Sequence, residues 1–304
     1  MRTSKKHIIT VSSAIVLVIV AGVLLCFFNQ HRAKKADISA AKYLIETTEP
    51  VFGNEWTAFA LAKGEYSCAR SWIKKYKCSF EERVTSQKGE FAIYTDYSRC
   101  IIACSALGYD PQNVCGYDFT SKLNDIEKVT ERGINGAVFA LLALDTCNGD
   151  SELKDRYISI ILSMQHESGG FGMSANVPSS DVTAMALYAL AAHTDRTDVK
   201  LAVERAVLAL SKVQSENGGF SSGGAENSQS LSQVIIALCT LGIDLEDARF
   251  QKNGNTLYDA LMSYRNDDGG FLRTKSDDIS SPSATVQVLQ AFNAMKEESD
   301  AGKQ

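Results

Sequence analysis

Three copies of one short phrase decide the fold of this chain: QHESGGF at Gln165–Phe171, QSENGGF at Gln214–Phe220 and RNDDGGF at Arg265–Phe271. The copies follow one another at intervals of about 50 residues, a period typical of repeated supersecondary units. Each copy comes after an amphipathic stretch and before an almost wholly apolar one. The pattern therefore predicts stacked units that share one core with their neighbours.

Six stretches of the chain have the composition of helices that are buried on every side. Three of them follow the GGF phrases, and three similar ones come earlier in the chain. They predict inner helices that begin near Asn54, Asp96, Asn135, Asp181, Gln229 and Ser283. The stretches are 53–64, 94–108, 134–147, 179–193, 227–242 and 281–295.

Amphipathic segments alternate with these apolar stretches, and each has one charged face, which is typical of an outer helix. The segments are 37–47, 66–78, 120–130, 151–165, 201–214 and 254–265. Six inner and six outer helices predict an all-α fold, the α6/α6 toroid, with an open superhelical solenoid as the alternative. Closure is favoured because the terminal inner stretches are as apolar as the middle ones, and no polar capping repeat is visible.

The GGF phrase is expected to be part of the scaffold. Its first glycine is predicted to adopt positive φ and end the outer helix. Gln165 and Gln214 are expected to hydrogen-bond nearby backbone. Asp96, Asp181 and Ser228 are expected to cap the starts of inner helices. Parallel inner helices gather their N-termini at one mouth of the ring, which favours anionic or hydrogen-bond-accepting groups there.

Residues 8–28 form a stretch of 21 residues without a charge, enough to span a bilayer as a helix. The interpretation is a membrane anchor with its flanks (1–35), a toroid domain (36–298) and a short tail (299–304). A cleaved signal peptide and a cytosolic chain are the alternatives. The basic flanks of the stretch are balanced and do not orient it. The expected location is the cell membrane, with a single span and the domain outside the cytoplasm.

Charge and cysteine content narrow the expected partners. The net charge is −5 and no basic stripe is present, so nucleic acid is not an expected partner.

One of the eight cysteines, Cys26, falls in the apolar stretch, which leaves seven in the rest of the chain. An odd number leaves at least one thiol free in an oxidising compartment. A bridge between Cys68 and Cys78, or one at Cys115, remains open.

The phrase Q-x-x-x-G-G-F resembles the repeat of terpenoid cyclases and protein prenyltransferase β subunits, which share the α/α toroid. The segment SSDVTAMALYALA (179–191) is similar to inner-helix phrases of the transcobalamin and intrinsic-factor family, which binds cobalamin in the same barrel. FGNEWTAFALAKG and GINGAVFALLALD resemble exported bacterial cyclase-like proteins. The resemblance covers 37–297 and implies the toroid fold.

The resemblance does not extend to the catalytic motifs of these families. The D-x-D-D acid of the cyclases is missing, and no Asp, Cys and His set matches the zinc site of the prenyltransferases. No cofactor or metal is therefore expected, although the transcobalamin resemblance leaves a cobalamin-like ligand open.

Candidate ligand-binding residues are polar or aromatic groups near the inner-helix starts. Asp181 and Thr183 match the cobalamin-binding helix starts best, with plain capping as the alternative. Gln233 and Gln287 lie in apolar helices, where a buried amide needs a partner. The full set is Glu55, Trp56, Tyr94, Asp96, Tyr97, Asn135, Asp181, Thr183, Gln229, Gln233 and Gln287.

A toroid without a recognised catalytic group is interpreted as a non-catalytic module. It is expected to bind an amphipathic or isoprenoid-like small molecule, or a peptide, at the mouth formed by the inner-helix N-termini. One alternative is a divergent terpene cyclase or prenyltransferase-type enzyme that uses Asp96 and Asp181 as acids. The other is a structural cell-surface adaptor whose ring is filled by side chains.

Overall fold

The computed structural model describes residues 35–173 and 177–301. The described residues from Ala40 onward belong to one compact unit. The predicted membrane segment 8–28 lies outside the described residues. Among the described helices, none combines the length and the apolar character that crossing a membrane requires.

Two layers of helices alternate along the chain. The inner helices are α2 (Glu55–Lys63), α4 (Tyr94–Leu107), α6 (Ile134–Thr146), α8 (Ser180–Leu190), α10 (Ser228–Thr240) and α12 (Pro282–Ala301). The outer helices are α1 (35–47), α3 (Arg70–Ser86), α5 (Ile126–Thr130), α7 (Ser151–Ser163), α9 (Thr197–Val213) and α11 (Leu257–Met262). Each inner helix packs on the next, and α12 packs on α2, so the inner layer is a closed ring.

The ring closes through side chains that join its two ends. Asn293 on α12 donates from Nδ2 to the carbonyl of Ala60 on α2 at 2.9 Å. Its Oδ1 accepts a hydrogen bond from the hydroxyl of Tyr66 at 3.0 Å. The open solenoid is excluded, because its first and last repeats would not touch. The toroid prediction is confirmed.

The GGF phrases form tight turns between outer and inner helices. The first glycine of each has positive φ, at +93° for Gly169, +80° for Gly218 and +88° for Gly269. The expectation that this glycine ends the outer helix is wrong, because α7 ends at Ser163 and the glycine lies in the turn that follows. The phenylalanines, Phe171, Phe220 and Phe271, are fully buried.

Glutamine side chains tie these turns to the neighbouring repeat, as the sequence predicts. Gln165 donates to the carbonyls of Gly169 and Ala202 at 2.9 and 2.8 Å. Gln214 donates to those of Gly218 and Phe250 at 3.0 and 2.9 Å. Each amide thus joins a carbonyl of its own turn to a buried carbonyl of the following repeat.

Several local predictions are wrong. The segment 120–130 is a 3₁₀ turn (Thr120–Asn124) followed by the five-residue α5, since Asp125 accepts a hydrogen bond from Lys128 N and starts a new helix. Asp181 lies inside the first turn of α8 instead of capping it, as does Asp96 in α4. Asn227 caps α10 instead of Ser228.

A short β-hairpin follows the GGF turn that ends at Phe220. The hairpin pairs β1 (Ser221–Ser222) with β2 (Ala225–Glu226) through Gly223 and Gly224, which both have positive φ. All seven cysteines in the described residues are free, so no bridge joins Cys68 to Cys78 or involves Cys115.

Candidate functional site

One face of the inner helices looks into the hollow of the ring. The second residues of α2, α6, α8 and α10 are partly exposed between two buried neighbours: Trp56, Asn135, Asp181 and Gln229. Because the outer helices cover the opposite face, this exposure belongs to the hollow. All four lie at the N-terminal ends of parallel helices, so they surround the same mouth.

A cavity of about 280 Å³ opens at this mouth between α8, α10 and α12. Its volume is at the lower limit of the range for small-molecule sites, about 300–1,000 Å³. Polar side chains from three helices and two loops surround it. The lining residues are Asp181, Met185, Ser222, Gly223, Asn227, Gln229, Ser230, Gln233, Arg273 and Gln287.

Asp181 has one oxygen bound and one free. Its Oδ2 accepts a hydrogen bond from the hydroxyl of Ser222 on β1 at 3.1 Å. Its Oδ1 is buried, and within residues 35–173 and 177–301 it has no hydrogen-bond partner. A buried carboxylate oxygen without a donor is costly, so the position is suited to a donor supplied by a ligand.

Amide and guanidinium groups surround this carboxylate. Gln233 Nε2 donates a long hydrogen bond to Gln287 Oε1 at 3.4 Å. Both side chains line the cavity, where their other hydrogen-bonding groups can meet a ligand. Arg273 is exposed, and among the described residues its charge acts on Asp277. Its backbone is fixed, because Ser228 N donates to the carbonyl of Arg273 at 2.9 Å. The lining thus offers hydrogen bonds to hydroxyl groups and a positive charge to an anion.

Aromatic side chains occupy the opposite part of the ring. Trp56 on α2 packs against Phe139 on α6, with ring centroids 5.4 Å apart, and against Phe59 at 6.3 Å. Both pairs are within the range of favourable ring contacts. The hollow therefore has an aromatic side near α2 and α6 and a polar side near α8, α10 and α12.

A buried ion pair supports the ring between α2 and α4. Glu55 is fully buried, and its Oε2 lies 2.8 Å from Nε of Arg99, which also pairs with Asp96 at 3.1 Å. Glu55 Oε1 accepts hydrogen bonds from Gly53 N and from the hydroxyl of Tyr76. Burial and the charge of Glu55 raise the pKa of Tyr76 above its usual range.

The structure separates the sequence-predicted residues into three groups. Four of them line the cavity: Asp181, Gln229, Gln233 and Gln287. Asn135 and Trp56 face the same hollow from other helices. The remaining five have structural partners: Glu55, Tyr94, Asp96, Tyr97 and Thr183.

Thr183 and Tyr97 have roles in the scaffold. Thr183 Oγ1 accepts a hydrogen bond from Phe171 N at 2.8 Å and so fixes the GGF turn. Tyr97 accepts one from Phe91 N at 2.7 Å, and burial raises the pKa of its hydroxyl. The hydroxyl of Tyr94, at the start of α4, accepts a hydrogen bond from Lys128 Nζ at 3.4 Å.

Sequence reasoning missed six lining residues: Met185, Ser222, Gly223, Asn227, Ser230 and Arg273. One signal was available for the hairpin, because paired glycines between polar residues favour a two-residue β-turn. No comparable signal marks Arg273, which enters the site from a long loop. Within the part of the chain that the structure describes, no group of three His, Cys, Asp or Glu side chains is placed to hold a metal ion.

A family model, the prenyltransferase alpha-alpha toroid domain, matches residues 120–301, which is more than half of the chain. The chain belongs to this family. Among curated proteins, none matches the sequence. The family therefore establishes the repeat and its closure, while its name alone does not identify a substrate.

Solved structures of unsaturated glucuronyl hydrolases have a similar fold. One from Bacillus sp. GL1, described as responsible for the degradation of glycosaminoglycan, has a TM-score of 0.60 at 12% identity, and the match covers 88% of this chain and 96% of that one. A form with dGlcA-Glc-Rha-Glc has a TM-score of 0.62 at 11% identity, with the same coverage. One from Streptococcus agalactiae with dGlcA-GalNAc6S has a TM-score of 0.56 at 11% identity, and the match covers 86% of this chain and 91% of that one. At these identities the likeness shows the fold alone.

The interpretation of the domain as a non-catalytic binding module is wrong. That interpretation rests on the absence of cyclase and prenyltransferase motifs, whereas the solved structures with a similar fold that are named above are of hydrolases. The expected isoprenoid-like ligand also conflicts with the polar lining of the cavity, which would leave amides and a carboxylate facing hydrocarbon.

Proposed function

We propose that this chain is an enzyme that hydrolyses a saccharide bearing a carboxylate, with Asp181 as its acid–base group. The free, buried Oδ1 of Asp181 at the head of the polar cavity carries this proposal. Amides at Gln229, Gln233 and Gln287 suit the hydroxyl groups of a sugar. Arg273 supplies the charge that would pair with the carboxylate.

The number of carboxylates favours one subclass of substrate. Ordinary glycosidases use two acidic residues on either side of the scissile bond. Among the described residues, Asp181 is the acidic side chain that lines this cavity. One carboxyl group is sufficient to add water across an enol ether. It gives its proton to one carbon of the double bond, and its carboxylate then takes a proton from the water that attacks the other carbon.

An unsaturated uronic acid contains such an enol ether and a carboxylate. The hemiketal formed by hydration opens and releases the rest of the saccharide, so the net reaction is hydrolysis. The names of the structural neighbours, unsaturated glucuronyl hydrolases, supply this substrate class, and the lining of the cavity is compatible with it.

A spectroscopic assay tests the proposal. Purified full-length protein is incubated with an unsaturated glucuronyl disaccharide, and the ultraviolet absorbance of its conjugated double bond is followed. The expected result is loss of absorbance with release of the second sugar. The matched control is the saturated disaccharide, which should stay intact. Turnover of both compounds, or of neither, contradicts this assignment.

A second candidate is a terpene cyclase or prenyltransferase-type reaction. The family match and the aromatic cluster of Trp56, Phe59 and Phe139 favour it, because aromatic faces stabilise cationic intermediates. The discriminating experiment offers a polyprenyl diphosphate and squalene to the same protein. Formation of a cyclised or transferred product supports this candidate, and unchanged substrates exclude it.

We further propose that residues 8–28 anchor the protein in the cell membrane, with the toroid domain outside the cytoplasm. The 21 uncharged residues support this placement. The tests are membrane fractionation of lysed cells and, separately, protease digestion of intact cells. Sedimentation with membranes and cleavage of the domain by external protease are expected. A soluble or protected domain contradicts the proposal.

A further inference from the structure

A second buried, unpartnered oxygen lies on the helix next to Asp181. Asn135 Oδ1 on α6 has no hydrogen-bond partner among the described residues, although it is withdrawn from solvent. Asn135 and Asp181 are each the second residue of their helix, and α6 packs on α8. Neighbouring helices pack about 8–10 Å apart, so the two residues lie at the same level of adjacent inner helices.

The surroundings of Asn135 are aromatic. Phe139 follows it one helical turn later on the same face of α6 and packs against Trp56 across the hollow, 5.4 Å between centroids. Trp56 is itself partly exposed at the mouth. An aromatic ring on the same helix face as an amide oxygen without a donor is suited to a sugar ring, which presents apolar C–H groups on its face and hydroxyls at its edge.

The cavity beside Asp181 does not include this region. Its lining comes from α8, α10, α12 and two loops, while Asn135 and Trp56 belong to α6 and α2. A monosaccharide held at Asp181 would therefore leave Asn135 without a donor. A longer saccharide would reach both.

We propose that Asn135 and Trp56 form a second sugar subsite beside Asp181, which makes the substrate an oligosaccharide. Asn135 accepts a hydrogen bond from a hydroxyl of the unit next to the one attacked, and Trp56 packs against the face of that unit. Asn135 is a specificity-determining residue here and takes no part in proton transfer. This inference rests on the proposed function.

Calorimetric titration of the full-length Asp181→Asn protein tests the subsite without turnover. The two probes are an unsaturated glucuronyl disaccharide and the methyl glycoside of unsaturated glucuronic acid. Adding Asn135→Ala is expected to weaken binding of the disaccharide by about fivefold to tenfold, the effect of one lost hydrogen bond. Binding of the methyl glycoside should not change.

Two further variants serve as controls for folding and placement. Trp56→Leu keeps an apolar side chain but removes the ring face, and it should also weaken binding of the disaccharide without changing binding of the methyl glycoside. Asn124→Ala changes an exposed asparagine in a surface 3₁₀ turn and should affect neither probe. Thermal unfolding of each variant establishes that it is folded.

The outcomes separate this inference from the function on which it rests. If Asn135→Ala leaves disaccharide binding intact, or weakens both probes equally, the subsite is contradicted and the proposed function stands. If neither probe binds to the Asp181→Asn protein while that protein is folded, both are overturned.

Discussion

Ser222 donates a hydrogen bond from its hydroxyl to Asp181 Oδ2 at 3.1 Å, which joins the β1–β2 hairpin to the start of α8. The hairpin and α8 belong to consecutive repeats, so the contact crosses from one repeat to the next. It also fixes the orientation of the carboxylate, since Oδ2 is held while Oδ1 is buried without a hydrogen-bond partner among the described residues. Ser222 therefore positions the group to which we assign the chemistry.

Removal of this hydroxyl should reduce activity without unfolding the protein. Ser222→Ala is expected to lower kcat/KM by about tenfold, because a hydrogen bond to a charged group contributes about 1.5–3 kcal/mol. The measurement is steady-state kinetics on the unsaturated disaccharide. The control is Ser221→Ala. Ser221 accepts a hydrogen bond from Ser180 Oγ through its backbone carbonyl at 2.8 Å, and the substitution keeps that carbonyl. Equal kinetics for the two variants would argue against a positioning role.

Loss of Arg99 should destabilise the ring. Arg99→Leu leaves the fully buried Glu55 carboxylate without its counter-charge, and we expect the free energy of unfolding to fall by about 3 kcal/mol. Denaturant unfolding measures the change. Lys63→Met serves as the comparison, because Lys63 and Glu297 form an exposed pair expected to contribute under about 1 kcal/mol. Similar losses from both variants would refute a special role for the buried pair.

The glutamine of the repeat should stabilise the turn that gives the fold its period. Gln214→Ala removes both donors to the carbonyls of Gly218 and Phe250, and about 2 kcal/mol of stability is expected to be lost. Gln251→Ala is the control, since its amide bonds an exposed carbonyl. Thermal or chemical unfolding distinguishes them. If the Gln214→Ala protein is as stable as the control, the two hydrogen bonds of Gln214 do not stabilise the fold.

Two buried thiols predict a fall in stability at alkaline pH. Burial raises the pKa of Cys104 and of Cys239 from the usual 9.0 to about 12. Below pH 9 both folded and unfolded chains keep the protons. Between about pH 9 and pH 12 the unfolded chain releases them first, so stability falls by about 1 kcal/mol per pH unit for each thiol.

Unfolding measured in reductant over that pH range tests this expectation. Cys104→Ala and Cys239→Ala should each reduce the slope of stability against pH, whatever their effect at neutral pH. Cys78→Ala, at an exposed position on α3, should leave the slope as in the parent. A slope that none of the variants alters would show that other groups cause the alkaline loss.

The ring of helices could be predicted from the sequence, because the alternation of apolar and amphipathic stretches shows which helices are buried. Apolar stretches such as 134–147 and 179–193 mark helices shielded by a second layer, and the structure has α6 and α8 there. The prediction of one outer helix over 120–130 is wrong, because the amphipathic composition does not reveal that Asp125 caps a new helix within the segment. Helix existence was predictable from the pattern, and local capping was not.

The site was predictable where it depends on the inner helices. Asp181, Gln229, Gln233 and Gln287 follow from helical spacing alone, since polar groups on an otherwise apolar helix must face the hollow or one another. Ser222 and Arg273 come from loops after the GGF turns, and loop geometry follows from tertiary packing. The absent cyclase motifs were misleading for function, because a fold supports more chemistries than those by which it is first recognised.

The assignment of Asp181 as the acid–base group depends on turnover by the Asp181→Asn protein, measured beside the Asp96→Asn protein. Asp96 is the other acid suggested by the sequence, and it is held by Arg99 outside the cavity lining. Loss of a general acid–base group costs about 10²- to 10⁴-fold in kcat. We predict a loss of this size for Asp181→Asn on the unsaturated glucuronyl disaccharide, and parent-like turnover within about threefold for Asp96→Asn. Parent-like turnover by a folded Asp181→Asn protein would contradict the account.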